Sequence, residues 1–261
     1  MAIRKGRAPK GAARRPTILA TNDDGVGAEG LSALSRALSR IGRVVVVAPD
    51  QERSAASHSI TLHRPLRIGC LRPDVYSVDG TPTDCVMLGI HEILRRRPDL
   101  VVSGINDGAN LGDDVHYSGT VSAAFEGGIL GVPSIAVSLA SDGSRNFDAA
   151  AAFSAKLARK VLEEGLPPGI ILNVNVPDLP ARRVRGAVLA KQGKRNYGNI
   201  IVEKVDPRRK KYYWIGGDEG GFEDIESSDC NMVRAGFISI TPLRVNLTDH
   251  AVLEAMAGWK L

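Results

Sequence analysis

Thr17-Ile18-Leu19-Ala20-Thr21-Asn22-Asp23-Asp24-Gly25 decides the fold class of this chain. Five residues suited to a short buried strand run straight into Asn-Asp-Asp-Gly, whose turn chemistry stops the strand. Leu31, Leu34, Leu38 and Ile41 then recur at helical spacing and predict a helix over about 28–40. Val44-Val45-Val46-Val47 follows, an uninterrupted β-branched run expected of a strand buried on both faces of a parallel sheet, and Ala48-Pro49-Asp50 ends it. Strand, helix and strand in this order form a βαβ unit.

The same rhythm continues outward. A helix is expected over 83–95, with Pro82 suited to its first turn. A strand at 100–103 runs into Gly104, a small-residue helix spans 119–130, a strand 134–139, a long helix 147–164 and a strand 170–174. Strands alternating with helices predict an α/β fold with a doubly wound, mostly parallel, Rossmann-like sheet over 17–181. Two extended pieces within 62–78 predict a hairpin outside that order. From 182 the rhythm changes. Segments 184–189, 200–205 and 211–215 read as strands without long helices between them, and Asp206-Pro207-Arg208-Arg209-Lys210-Lys211 reads as a polar turn. Residues 182–235 are therefore expected to form a projecting C-terminal β arm that serves oligomerisation. Residues 236–261 would hold a return strand at 237–241 and a C-terminal segment.

Charge and composition exclude several functions. The net charge is +5, but Arg4, Lys5, Arg7, Lys10, Arg14 and Arg15 all lie in residues 1–16, where no acid occurs. The remainder carries 28 cations against 29 acids, so the net charge gives no support for a basic nucleic-acid face on the body. The 1–16 segment has no apolar stretch of the secretory kind and reads as a basic disordered tail. No run of about 18 apolar residues occurs, so no membrane span is expected. Cys70, Cys85 and Cys230 are far apart and form no C-x-x-C pair, which disfavours a disulfide framework or zinc–thiolate site and suits a reducing, cytoplasmic compartment.

Ligands of open parallel sheets bind beyond the carboxyl ends of the strands. Four polar segments fall at such ends: 22–25, 50–61, 103–110 and 117–120. Asp23 and Asp24 are adjacent carboxylates on a tight turn, and each raises the pKa of the other unless a cation compensates. A hard oxygen-seeking ion, Mg²⁺ or Mn²⁺, suits such a pair, with neutral oxygens and waters completing its shell; the alternative is that one Asp caps the following helix and the other is solvated. Arg53-Ser54-Ala55-Ala56-Ser57-His58-Ser59 is rich in hydroxyls that could serve as metal ligands or phosphate donors, although composition alone favours a loop-forming role, and His58 taken singly reads as structural. Asn106 and Asn110 offer amide oxygens to a metal or amide N–H groups to a phosphate. Ser118-Gly119-Thr120 opens a helix, where backbone N–H groups bind anions, although ordinary N-capping explains the same residues. No G-x-S-x-G elbow and no G-x-x-x-x-G-K-[ST] loop is present.

Five ordered motifs together resemble the survival protein E (SurE) family of nucleotide phosphatases. They are Asn22-Asp23-Asp24-Gly25, Ala48-Pro49-Asp50 running on to Arg53-Ser54, Gly80-Thr81-Pro82-Thr83-Asp84-Cys85, Ser103-Gly104-Ile105-Asn106 and Ser118-Gly119-Thr120-Val121. The resemblance covers roughly 17–250. It implies a metal held by Asp23, Asp24, Ser54 and Asn106, with Asp23 and Asp24 catalytic, and phosphate contacts from Asn110, Ser118, Gly119 and Thr120. It implies hydrolysis of nucleoside 5′- or 3′-monophosphates, action on short polyphosphate, and homodimers or homotetramers. Metal-activated water is the expected nucleophile, with attack by Asp23 the alternative. Asn246-Leu247-Thr248-Asp249-His250 resembles a family segment in which an Asp is usual where Asn246 stands; it retains His250, a possible accessory residue.

Overall fold

A computed structural model describes residues 14–141, 143, 145–196, 201–215 and 221–259. The tail expected over 1–16 lies outside these residues except for 14–16, where Arg14 is paired with Asp99 at 3.0 Å and Arg15 donates to the Ser39 carbonyl.

The opening βαβ unit is β1 (Thr17–Thr21), α1 (Glu29–Leu38) and β2 (Arg43–Pro49), as the periodicity predicts. Then come β3 (Ile68–Arg72), β4 (Val75–Val78), α2 (Pro82–Leu88), β5 (Leu100–Asp107), α3 (Gly119–Ile129), β6 (Ser134–Ala140), α4 (Phe147–Glu164) and β7 (Ile170–Pro177). The chain ends with β8 (Ala187–Leu189), β9 (Ile201–Val205), β10 (Lys211–Ile215), α5 (Asp229–Arg234), β11 (Ile238–Arg244) and α6 (His250–Ala255). Nine strands form one sheet in the order β3-β4-β2-β1-β5-β6-β7-β11-β8. Its pairings are parallel except β3 with β4 and β7 with β11.

Alternate side chains of each central strand enter opposite cores, so these strands read as continuous apolar runs. Ile18, Leu100 and Val102 pack with Leu34 and Leu38 of α1 and Phe147, Ala158 and Val161 of α4. Leu19 and Val101 pack on the other side with Val86 of α2 and Ala123 of α3. The layers approach closely at Gly30, where a Cβ would sit 2.0 Å from the Ile105 carbonyl oxygen, so only glycine lets α1 lie this near β5.

Three expectations are corrected. The hairpin β3–β4 forms but belongs to the main sheet, because β4 pairs parallel with β2. The helix expected over 83–95 is α2 followed by a π-helical turn, Gly89–Leu94. Its start is fixed by a capping box: Asp84 N–H donates to Thr81 Oγ1 at 3.1 Å, and Thr81 N–H donates to Asp84 Oδ2 at 2.8 Å. The 182–235 segment is not one projecting arm. β8 pairs with β11 inside the main sheet, and Asp229 is buried while accepting N–H bonds from Gly112 and Gly193 at 3.0 and 2.8 Å. Residues 187–196 and 228–234 are thereby fastened to the core, and among the described residues only the antiparallel pair β9–β10 stands apart from the sheet. The return strand is β11, antiparallel to β7.

Candidate functional site

The sheet order makes β1 the switch point: the chain leaves β1 for β2 on one side, and β5 flanks it on the other. The loops after β1 and β5 therefore diverge around a crevice, as in other doubly wound sheets. Asn22 shapes the first loop by donating from Nδ2 to the Gly25 carbonyl at 2.9 Å. Asp23 is then directed inward, 5% exposed, and Asp24 toward the opening.

Asp23 is held by α3. Thr120 donates its hydroxyl to Asp23 Oδ1, and the Thr120 backbone N–H also reaches this carboxylate. The start of α3 thus serves a carboxylate of the protein itself, with its positive dipole end toward that charge. Arg53 N–H donates to the Asp23 carbonyl at 2.7 Å, which ties the 50–61 loop to the same residue. Thr61 N–H donates to Asp84 Oδ1 at 3.0 Å and anchors the other end of that loop on α2.

Asn106 reaches the crevice through an irregularity in β5. Ser103 is opposite Ala136, but Asn106 is opposite Ser138, so β5 spends three steps where β6 spends two. This bulge re-aims the side chain, as bulges do near sites. Asn106 Nδ2 donates to the Gly108 carbonyl at 2.8 Å, which leaves its Oδ1 as the atom suited to a metal. Ser54 lines the same cleft and donates its hydroxyl to Glu52 Oε1 at 2.6 Å.

The cleft has a volume of about 480 Å³, and Asp23, Asp24, Ser54, Asn106, Asn110 and Ser118 all line it. Its walls carry five carboxylates (Asp23, Asp24, Glu52, Asp107 and Asp114) against the two guanidinium groups of Arg145 and Arg195. Burial raises the Asp23 carboxyl above the ordinary carboxylate range despite the Thr120 bonds. Burial, then the Asp23 charge, push Asp24 up to about 7. Two adjacent acids held in this way would each be easier to ionise beside a cation. Among the described residues no three His, Cys, Asp or Glu converge as metal ligands. Asp23 and Asp24 lie in this cleft beside the neutral oxygens of Ser54 and Asn106, a combination that would suit Mg²⁺ or Mn²⁺ better than zinc.

Ser118 caps α3, its Oγ accepting from Val121 N–H at 3.1 Å, and it also faces the cleft. Asn110 donates from Nδ2 to Ser138 Oγ at 2.7 Å, its N–H donates to Asn175 Oδ1 at 2.8 Å, and its carbonyl accepts from Asn173 and Asn175. This buried amide network pins Asn110 at the cleft wall. Gly119 and Thr120 sit behind Asp23 rather than in the cleft lining, so the Thr120 hydroxyl, expected on phosphate, is engaged by Asp23. His250 is not brought to the cleft. It begins the exposed α6, 3.5 Å from Asn246. Asn246 Oδ1 accepts from Thr248 N–H at 3.0 Å, a turn bond that an Asp oxygen makes equally well. His58, which reads singly as structural, lies 3.0 Å from the buried Glu126.

Sequence reasoning placed Glu52, Asp107 and Tyr117 in its polar segments without giving them a role, and it missed Asp114, Arg145 and Arg195 in the cleft and the Asn173–Asn175–Ser138 support. Glu52 and Tyr117 adjoin motif residues and were within reach of that reading. Arg145 and Arg195 carry no local signal, since each stands in an irregular segment far along the chain from the acid pair.

Known proteins resemble this chain in both sequence and fold. Residues 18–199 match the family described as Survival protein SurE. The chain is 58% identical over 245 residues to the 5′-nucleotidase SurE of Geobacter sulfurreducens, covering 94% of each chain. It is 58% identical to the protein of the same name from Geotalea uraniireducens, covering 94% of this chain and 99% of that one. In structure it is similar to the SurE protein from Aquifex aeolicus, with a TM-score of 0.84 and 45% identity over 92% of this chain and 98% of that one.

Proposed function

The chain belongs to the SurE family, and from that premise we infer that it is a 5′-nucleotidase, a hydrolase that converts nucleoside 5′-monophosphates to nucleoside and phosphate. The observation that carries this reading is the Asp23–Asp24 pair at the end of β1, Asp23 buried and Asp24 half-buried, lining one cleft with Ser54 and Asn106. Asp23, Asp24, Ser54 and the Asn106 amide oxygen would hold a divalent cation, Mg²⁺ or Mn²⁺. Such an ion supplies neutralisation of phosphoryl charge and a water of lowered pKa.

The protein's own groups do the rest. Thr120 fixes Asp23, Asn106 is aimed by the β5 bulge, and Ser118 and Asn110 present donors to the phosphate of the substrate. Water is the better nucleophile than Asp23. Attack by Asp23 would need an exposed oxygen in line with phosphorus, whereas Oδ1 is bonded to Thr120 and the residue is 5% exposed. Nucleoside 3′-monophosphates and short polyphosphate present the same terminal phosphoryl group and fit the same chemistry.

The enzyme works as a homodimer or homotetramer. Support comes from β9–β10, which exposes Tyr213, Trp214, Ile201 and Ile215, too much apolar surface for a lone two-stranded hairpin in water. A cytoplasmic location suits its three free cysteines. No helix among the described residues is long and apolar enough to cross a membrane.

Phosphate release from adenosine or guanosine 5′-monophosphate with Mn²⁺ or Mg²⁺, lost on chelation, is the test. No release with either ion would overturn the reading.

A further inference from the structure

We propose that Arg195 is a substrate-binding residue whose guanidinium contacts the phosphate of the nucleotide, with Asp114 and Phe222 as the groups that position it. The inference rests on the nucleotidase reading and adds the cation that this reading lacks on the protein side.

The need for such a group follows from the cleft walls. A phosphate monoester brings about two negative charges at neutral pH into a crevice where five carboxylates already face two guanidinium groups. A metal held by Asp23 and Asp24 would offset those two acids, and Arg145 and Arg195 pair with Asp107 and Asp114, which leaves the Glu52 charge facing the incoming phosphate. Donors near α3 are partly committed, because the Thr120 hydroxyl serves Asp23, Val121 N–H serves Ser118 and Asn110 Nδ2 serves Ser138. A planar guanidinium with five N–H donors matches phosphate oxygens in geometry and charge.

Arg195 is built into place. Its Nη1 lies 2.5 Å from Asp114 Oδ2, and its Cζ lies 5.4 Å from the Phe222 ring centroid. Its backbone N–H donates to Asp113 Oδ2 at 3.1 Å. The segment that carries it is pressed onto the loop leading to Ser118: a Cβ on Gly112 would meet the Gly193 carbonyl at 3.0 Å, and Gly193 N–H donates to the buried Asp229. The side chain is 30% exposed, whereas Arg145, paired with Asp107, is 62% exposed at the rim. A guanidinium held between a carboxylate and a ring loses little freedom when it meets phosphate, so its charge is already organised for the transferring group.

The test uses the full-length enzyme and Arg195→Ala and Arg195→Lys. R195A is expected to lower kcat/KM for adenosine 5′-monophosphate on the order of 10²–10³-fold and to weaken inhibition by inorganic phosphate at least about tenfold, with Mn²⁺ affinity within about threefold of wild type. Added guanidinium ion should restore part of the R195A rate, which a merely structural role would not allow. R195K keeps the charge but not the fork and should retain metal binding with phosphate inhibition still weakened; it carries the test if R195A does not fold. An active wild type with unchanged phosphate inhibition in R195A, or in R195K where R195A is unfolded, overturns this inference alone. A wild type that releases no phosphate overturns the nucleotidase reading instead.

Discussion

Gly119 lies directly against Asp23: a Cβ at position 119 would come within 2.9 Å of both the Asp23 Cβ and its Oδ2. The opening of α3 is therefore shaped around a carboxylate on β1. Gly119→Ala should push that carboxylate out of position while leaving the fold intact, because alanine suits a helix and the crowding falls on two side chains, Asp23 most closely and the Pro82 ring at 3.1 Å. The expected result is a fall in catalytic rate of at least about 10²-fold, the scale for losing one preorganised group. Weaker Mn²⁺ binding should accompany it, with little change in Tm. A metal titration and thermal melt on one preparation check this, and wild-type kinetics in the variant would count against the assigned role of Asp23.

Thr120→Val removes the hydroxyl bond to Asp23 at nearly constant volume. A buried carboxylate that loses a donor becomes harder to ionise, so the Asp23 pKa should rise further and Mn²⁺ affinity near neutrality should fall. The stability cost should be about 1–3 kcal/mol if the carboxylate stays charged and less if it takes up a proton. Mn²⁺ affinity measured across pH should show the variant needing higher pH to reach its plateau. Superimposable profiles would contradict this.

The Asp24 pKa sets a pH dependence with a definite sign. Its folded value is about 7 against an ordinary 3.8, with burial the larger cause and the Asp23 charge the next. Between these values the folded state holds a proton that the unfolded chain has released. Its contribution to metal-free stability is present below about pH 4 and is lost as pH rises through about 7. Melts in chelator should show this trend relative to Asp24→Asn, in which it vanishes. Metal binding at pH 6–7 should release protons, visible as a buffer-dependent heat. Binding with no proton release in that window would be incompatible with the raised pKa.

The exposed faces of β9 and β10 should be covered in solution. Trp214→Ser combined with Ile201→Ser replaces apolar side chains that are 63% and 63% exposed, so the monomer fold should lose little. Light scattering at micromolar concentration should give a smaller assembly for the double variant than for wild type. Equal masses would place the subunit contact elsewhere.

The sequence by itself determined the parts whose cause is local. The run Val44-Val45-Val46-Val47, the helical spacing of Leu31, Leu34 and Leu38, and the turn at Asn22-Asp23-Asp24-Gly25 each specify an element within about ten residues, and their alternation names the doubly wound sheet. The ordered motifs and the polar segment 103–110 likewise marked Asp23, Asp24, Ser54, Asn106, Asn110 and Ser118 as candidates, and all six line one cleft. Only the tertiary structure decided how they divide the work. Thr120 looks like a phosphate contact from its place at a helix start, but the packing of α3 against β1 engages its hydroxyl with Asp23 and brings Gly119 close to the same carboxylate. The β5 bulge is a register relation with β6 and has no signature of its own within β5. Arg195 enters the cleft because β8 pairs with β11 and Asp229 pulls residues 191–193 onto the core, so its segment belongs to the body rather than to an arm. Periodicity and turn chemistry depend on neighbours along the chain, whereas charge compensation in a buried cleft depends on which distant strands lie side by side.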